Sequence, residues 1–271
     1  MLIINTEKDC DILERYPLVS IISTFKDSKI MLKHVTDSVL FQDYPNVEHC
    51  IIDSNSTDGS VDLLKEYESQ FSEKGYTLKW KSESDKCIAE GANKAASMMS
   101  GDYFMFLTNP FVSSSSLSTL VKALVEDDLD AVSGGLLFHR DGIVIRRWRG
   151  NRWPWRLGWM AANETLCMKK ELFEKNGPYC ERHNASFDYD FQLSVFMDKT
   201  VKSRVLKTPI IFFYADGISN SNKFDTIKED YASLKSHGVK FAWFTLLFKC
   251  FAAFLAYTFV RKKNIANLLP S

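Results

Sequence analysis

The chain has 271 residues, 45% apolar and 25% charged, with 34 Lys plus Arg balanced by 34 Asp plus Glu. That length can bury a full core, and the composition excludes a disordered chain. A formal net charge of zero gives no global attraction to nucleic acid, so none is expected as a partner.

Residues 1–16 read as a polar leader closed by Pro17. They lack a basic stretch followed by a long apolar one, so no signal peptide is expected and the cytoplasm is the expected compartment. LVSIIST, from Leu18, is a β-branched run of strand length. In KDSKIMLKHVTDSVLFQ, Ile30, Met31, His34, Val35, Ser38 and Val39 fall at helical spacing, ending before Tyr44-Pro45. VEHCIID is a second strand ending at Asp53, followed by a small polar loop and an amphipathic helix. This β-α-β-α order predicts parallel strands with right-handed crossovers. YTLKWKSES from Tyr76 is a further strand, and CIAEGANKAASMMSG is a helix stopped by Gly101. Tyr103 to Leu107 is a fourth strand, apolar throughout as in a buried parallel sheet. Ser113 to Ser116 cap a helix from Leu117.

After Asp130 the pattern changes. AVSGGLLFHRDGIVIRRW predicts two strands joined by a turn at Asp141-Gly142. A Trp/Arg-rich loop follows, then a short strand from Thr165 to Met168 and a helix ended by Gly177. ASFDYDFQLSVFMDK opens another helix with acids in its first turn, where the dipole favours them. PIIFFYADGIS and the apolar run VKFAWFTLLFKCFAAFLAYTFV, with RKK behind it, fill the last third. The expected division is a leader (1–16), an α/β domain (17–222, with halves 17–112 and 113–222) and a C-terminal helical segment (223–271). The six cysteines (Cys10, Cys50, Cys87, Cys167, Cys180, Cys250) form no CxxC pair and no zinc spacing, so free thiols in a reducing compartment are expected.

Parallel α/β sheets bind ligands outside the carboxyl ends of their strands. Asp53 stands there, before Ser54, Asn55, Ser56, Thr57, Asp58 and Gly59. It can accept from a base or a ribose hydroxyl, or the loop can be a turn only, with Asp58 capping the next helix. Asp85 and Lys86 precede a helix on which Glu90, Asn93 and Lys94 share one face, which can also be a solvated face.

VSIISTFKD, IIDSNSTDGS, SESDKCIAEGANKAA and SGDYFMFLTN, in this order, resemble the nucleotide-binding half of a family 2 glycosyltransferase of the GT-A fold. RRWRGNRWPWRLGWMAANETLCMKKELFEKNGPYCERHNASFDYDFQLSVF is similar to the acceptor half of enzymes building bacterial surface polysaccharides, including the colanic acid type. The resemblance implies an α/β fold with a mixed, mostly parallel sheet flanked by helices. It implies a UDP- or GDP-sugar donor and a lipid-linked or growing glycan as acceptor. By position, it places Thr24, Lys26, Asp53, Asp85, Lys86, Asn93 and Asn109 at the donor. Lys26-Asp27 replaces the usual Tyr-Asn, which removes a stacking ring, and Cys87 and Glu90 replace a usual Gly and Asp. Asp188 matches the catalytic base of inverting members, with Asp190 two positions on. Chemistry points to Asp188 as well, because inverting transfer needs one carboxylate at the acceptor hydroxyl. The helix dipole is expected to keep it ionised rather than to raise its pKa.

Family members carry an acidic pair after the fourth strand to hold Mg²⁺ or Mn²⁺. Here Thr108, Asn109, Pro110 and Phe111 stand there, and Asn109 offers a single neutral oxygen, too little for a tight site. Three readings stay open: a metal-weak enzyme, a metal-free one that offsets diphosphate charge with Arg and Lys, and a catalytically silent subunit that binds glycan or scaffolds an assembly complex. Arg146, Arg147, Arg149, Arg152 and Arg156 interleave with Trp148, Trp153, Trp155 and Trp159. Guanidinium suits phosphate, and aromatic faces suit sugars and membrane interfaces. Arg149, Arg152, Trp153, Trp155 and Asp190 are the expected acceptor or diphosphate contacts; tryptophans filling core is the alternative.

In the C-terminal run, Phe244, Leu247, Phe248, Phe251 and Leu255 share a helical face, away from Thr245 and Lys249. Lys249 near the centre would cost roughly 2.5–3.5 kcal/mol on membrane insertion. An in-plane amphipathic helix is therefore expected, with Arg261, Lys262 and Lys263 at anionic headgroups on the inner face of the cytoplasmic membrane; a packed core helix is the alternative. On that view the residues after Gly238 are removable without unfolding the α/β domain.

Overall fold

The computed structural model describes residues 16–140, 143–148, 155, 161–214 and 223–258. Its first half alternates as the sequence predicts: β1 (Val19–Phe25), α1 (Lys29–Leu40), β2 (Val47–Asp53), α2 (Ser60–Lys74), β3 (Thr77–Ser82), α3 (Ile88–Ser97), β4 (Tyr103–Phe106) and α4 (Ser116–Glu126). The second half holds β5 (Ala131–Arg140), β6 (Ile143–Trp148), β7 (Cys167–Lys169), α5 (Lys170–Asn176), α6 (Phe187–Phe196), β8 (Ser203–Tyr214), α7 (Lys223–Ser236) and α8 (Ala242–Thr258).

The eight-stranded sheet runs β3-β2-β1-β4-β7-β5-β6, with β8 also paired to β5. β1 pairs parallel with β2 and β4, and β2 with β3. β7 is antiparallel to both β4 and β5, so β5 and its parallel partner β8 point the same way as β4. The carboxyl ends of β1 to β5 and β8 therefore meet at one edge. Alternation along β1 sends Ile21 to the face covered by α1, α2 and α4, and Ile22 to the face covered by α3, α5 and α6. On α3, Ala89, Ala92, Ala95 and Ala96 form the buried stripe, which lets this helix lie close to the sheet. β2 is buried along its whole length, and its His49 is bonded to the Ser23 hydroxyl (2.8 Å). Burial pushes the His49 imidazole down to about 3, so it is neutral.

β8 begins at Ser203, ahead of the Pro209 that opened the apolar run in the sequence. The strand tolerates this proline because its pairing with β5 is irregular around Gly135. Beside it a Cβ on Gly134 would lie 2.2 Å from Ile210 Cγ1, so only glycine fits.

The segment set apart as 223–271 is, in its described part, continuous with the α/β unit. Leu234 of α7 and Ala242 of α8 form one buried cluster with Tyr189 and Leu193 of α6, and Trp155 packs against it. α8 is inside out. Ala242, Thr245, Leu246 and Lys249 face the protein, whereas Phe241, Trp243, Phe244, Leu247 and Phe251 are exposed. Among the described residues no helix is long and apolar enough to cross a membrane.

Candidate active site

The loops after β1 and β2 interlock at the carboxyl edge. Asp27 accepts the N–H of Thr57 (2.8 Å) and gives its own N–H to Ser56 Oγ (2.9 Å). Asp58 caps two helices at once, taking the N–H of Ser60 (3.1 Å) at the start of α2 and that of Lys29 (2.7 Å) at the start of α1. Asp53 is fully buried. Its Oδ2 accepts from Ser82 Oγ (2.6 Å) and the Ser56 N–H (3.1 Å), while Oδ1 has no protein partner. A buried carboxylate oxygen without a partner is costly, so this atom is fitted to receive a donor from a ligand. Next to it, Ser54 Oγ donates to Asp85 Oδ2. Gly91 lets α3 approach: a Cβ there would sit 2.4 Å from Thr24 Oγ1 and 2.7 Å from Asp85 Oδ2. The structure thus brings Thr24, Ser54, Asp85 and Gly91 into one contact.

Lys26 and Lys86 are exposed on this edge, and the Lys86 N–H is tied to Glu90 Oε2 (2.8 Å). Asn93 meets the segment ahead of α6. Its Oδ1 accepts the Tyr179 N–H (2.8 Å), and its Nδ2 donates to the Tyr179 carbonyl (3.0 Å) and Glu181 (3.2 Å). The side chain clamps the acceptor half onto α3, which uses up its amide. Lys94 is held by the Ser84 carbonyl (2.6 Å), Glu90 (3.1 Å) and Glu83 (3.7 Å).

After β4 the expected acidic pair has a substitute that the sequence did not reveal. Glu164, in a 3-10 turn spanning Asn163–Thr165, accepts from Thr108 Oγ1 (2.6 Å) and Asn109 Nδ2 (2.9 Å). Its carboxyl is raised by burial, against hydrogen bonds from Thr108 and Asn109 that pull it down. Asn109 Oδ1 accepts the Tyr214 N–H (3.1 Å), so both ends of this amide are engaged in the fold. Among the described residues no three His, Cys, Asp or Glu side chains gather as around a metal ion.

Asp188 and Asp190 lie in the first turn of α6, as expected. Phe187 packs edge-on against Phe106 at the end of β4 (5.8 Å) and against Tyr179 (5.2 Å), which sets Asp188 at the carboxyl edge. The carboxylate accepts the Tyr189 N–H at 2.8 Å. Here the dipole expectation needs correcting, because burial wins: it raises the carboxyl from 3.8 to about 6, against the pull of Lys249. Asp190, two residues on, points to the opposite side of the helix, to His237 (3.3 Å) at the end of α7. Burial raises the Asp190 carboxyl, but the pull of His237, Ser233 and His183 together outweighs it and the net shift is downward. Asp190 thus fastens α6 to α7 and is not part of an acceptor loop. α7 also supplies Glu229, which takes the N–H groups of Asn184 (3.2 Å), Ala185 (2.8 Å) and Ser186 (2.9 Å), capping α6 from outside.

Of the Arg/Trp segment, Arg146 lies over the Phe138 ring (4.2 Å), Arg147 donates to the Lys207 carbonyl (3.2 Å), and Trp155 packs beside α6 and α8. Arg149, Arg152, Trp153, Arg156, Trp159, the Asp141-Gly142 turn and the basic residues 261–263 lie outside the described residues.

Residues 20–191 match the model of the family described as glycosyl transferase family 2. The chain belongs to glycosyl transferase family 2. Among family 2 relatives, TuaG of Bacillus subtilis (strain 168), named for teichuronic acid biosynthesis, is 34% identical over 91 residues, 34% of this chain and 35% of that protein. The chain spans about a third of that relative's length, and 14% and 15% of two others. S. aureus TarS 1-349 in complex with UDP-GlcNAc superposes with a TM-score of 0.62 at 14% identity, covering 93% of this chain and 76% of that one. The mannosyltransferase PcManGT from Pyrobaculum calidifontis, in complex with GDP-Man and Mn²⁺, gives 0.61 at 15% identity, covering 90% and 76%. At such identity the likeness shows the fold, which is GT-A, a mixed sheet of mostly parallel strands between helices.

Proposed function

We propose that this chain transfers a sugar from a nucleoside diphosphate donor, UDP- or GDP-linked, to a lipid-linked or growing glycan in the synthesis of a bacterial surface polysaccharide. The observation that carries the reading is the placement of Asp188, set at the carboxyl edge by Phe187 and holding the Tyr189 N–H (2.8 Å), where burial lifts its carboxyl to about 6. Such a group is mostly ionised at neutral pH and still basic enough to take a proton. The acceptor oxygen attacks C1 while the bond from C1 to the diphosphate oxygen breaks, and the hydroxyl proton passes to Asp188. Attack opposite the leaving group inverts the anomeric centre. The relatives' names and the nucleotide sugars bound by the structural neighbours support this substrate class.

Asp53 and its unpartnered Oδ1 would receive the nucleobase or ribose, with Thr24 and Asp85 beside the sugar-phosphate. Mg²⁺ or Mn²⁺ would supply charge to the leaving diphosphate in relatives of the PcManGT kind. The Thr108-Asn109 corner fits that role poorly, so Lys26, Lys86 and the arginines of 146–156 carry the offset here. The exposed apolar side of α8, with RKK behind it in sequence, supports peripheral attachment to the cytoplasmic face of the membrane. A catalytically silent glycan-binding or scaffold subunit is the second reading, favoured by Asn109-Pro110 where acids are expected.

A panel of UDP- and GDP-sugars scored by thermal shift, with Mn²⁺ and with chelator, separates these. Binding that persists in chelator supports the metal-free version, and binding lost in chelator replaces it with a metal-dependent one. If no nucleotide sugar binds in either condition, the silent-subunit reading takes over.

A further inference from the structure

An inside-out helix raises the question of what its inward polar residues do. Lys249 reaches from α8 into the protein, with its Nζ 2.7 Å from Asp230 Oδ2 on α7 and 3.7 Å from the centroid of the Tyr189 ring on α6. The pair is largely shielded from water: the side chains are 20% and 3% exposed. Asp230 Oδ1 and the Tyr189 hydroxyl are buried and have no hydrogen-bond partner in the protein. A buried ion pair is a weak source of stability compared with packed apolar side chains of the same volume. Lys249 is the one charged residue of α8, and its partner stands on a different helix. The pair therefore calls for another explanation.

Its location provides one. Tyr189, under the ammonium, is the neighbour of Asp188. Glu229, the neighbour of Asp230, caps the start of α6. Of these consecutive acids on α7, Glu229 caps the turn that carries Asp188, and Asp230 reaches it through Lys249, whose ammonium lies over the Tyr189 ring. We propose that Lys249 is a positioning residue for Asp188, holding Asp230 and the Tyr189 ring in place and balancing the negative charge of the two neighbouring carboxylates. This rests on reading Asp188 as the base.

The groups facing Asp188 are Lys249 from α8, Asp230 from α7 and Tyr179 from the loop before α6. Lys249 draws the Asp188 carboxyl down and Asp230 draws it up. Removing one or the other should therefore move the titration in opposite directions, which a residue that only packs would not do.

The test is an NMR pH titration of the full chain labelled with ¹³C at aspartate carboxyls, with the Asp188 signal identified by its loss in D188N. The parent midpoint is expected at about 6. K249M should raise it by about one pH unit or more, K249R should stay near the parent, and D230N should lower it. Coincident midpoints in the parent and K249M, or K249M and D230N moving in the same direction, overturn the proposal. If K249M does not fold, D230N decides: a lowered midpoint supports the proposal, and an unmoved or raised one overturns it. Transfer by D188N, measured separately, tests the base itself. A fully active D188N removes that reading whatever the titrations give, and an inactive one with unmoved midpoints removes only the role of Lys249.

Discussion

Replacing Asp188 by Asn separates what the carboxylate does chemically from what its burial costs. Asn retains an oxygen that can accept the Tyr189 N–H, made at 2.8 Å in the parent, so the local geometry is preserved. The native carboxyl sits at about 6 instead of 3.8. A displacement of about two pH units corresponds to about 3 kcal/mol. The folded pKa is the higher one, so the folded state binds the proton more tightly. Below about pH 3.8 both states are protonated and burial costs nothing. Stability then falls as pH rises towards 6, and above 6 the full penalty applies. The variant has no charge to bury. Its stability advantage over the parent should widen by about 2 kcal/mol between about pH 4.5 and about pH 8. Urea unfolding followed by tryptophan fluorescence measures this directly, provided the m-values agree. Over the same change, transfer should drop by about 10² or more. A stability gap that does not change with pH refutes the burial argument, and near-parental turnover refutes the base.

Gly91→Ala should abolish nucleotide-sugar binding in a calorimetric titration, because its Cβ would displace Thr24 and Asp85; unchanged affinity would mean these residues do not form the donor site. Glu164→Ala strands the donors on Thr108 and Asn109 and should cost about 1–3 kcal/mol in chemical denaturation, whereas Glu164→Gln, which keeps an acceptor, should recover most of it. Asn93→Ala should loosen the segment around Tyr179, raising its amide hydrogen exchange while leaving the exchange of β1 and β2 unaltered. The triple change F244E/L247E/F251E should abolish flotation with anionic vesicles without shifting the melting temperature.

The first half of the fold was readable because β1 and β4 are short, largely apolar runs between turn residues, and β3 alternates Leu78 and Trp80 with Lys79 and Lys81. Asp53, Thr24 and Asp85 could be placed for the same reason, since their positions follow from the strand ends. The rest depends on contacts between distant residues. Nothing in ANET marks Glu164 as the group that meets Asn109, because the turn that aims it is made by β7 pairing between β4 and β5. Glu229 and Asp230 sit in an ordinary charged helix until α7 is packed on α6. Lys249 looked like an obstacle to membrane insertion, and only the fold shows its counter-ion. The dipole at Asp188 is a local property and could be read; the depth of its burial is not local, and it decided the sign of the shift.

Asp188 and the residues that brace its helix are made at different times. A ribosome that has completed α6 has produced Asp188 but none of Glu229, Asp230, His237 or Lys249, which all follow in α7, the turn after it and α8. Nascent chains stalled between these points would therefore carry a fully formed nucleotide half and an unbraced base. Competence for the proposed transfer should then switch on late in translation, once α8 has emerged.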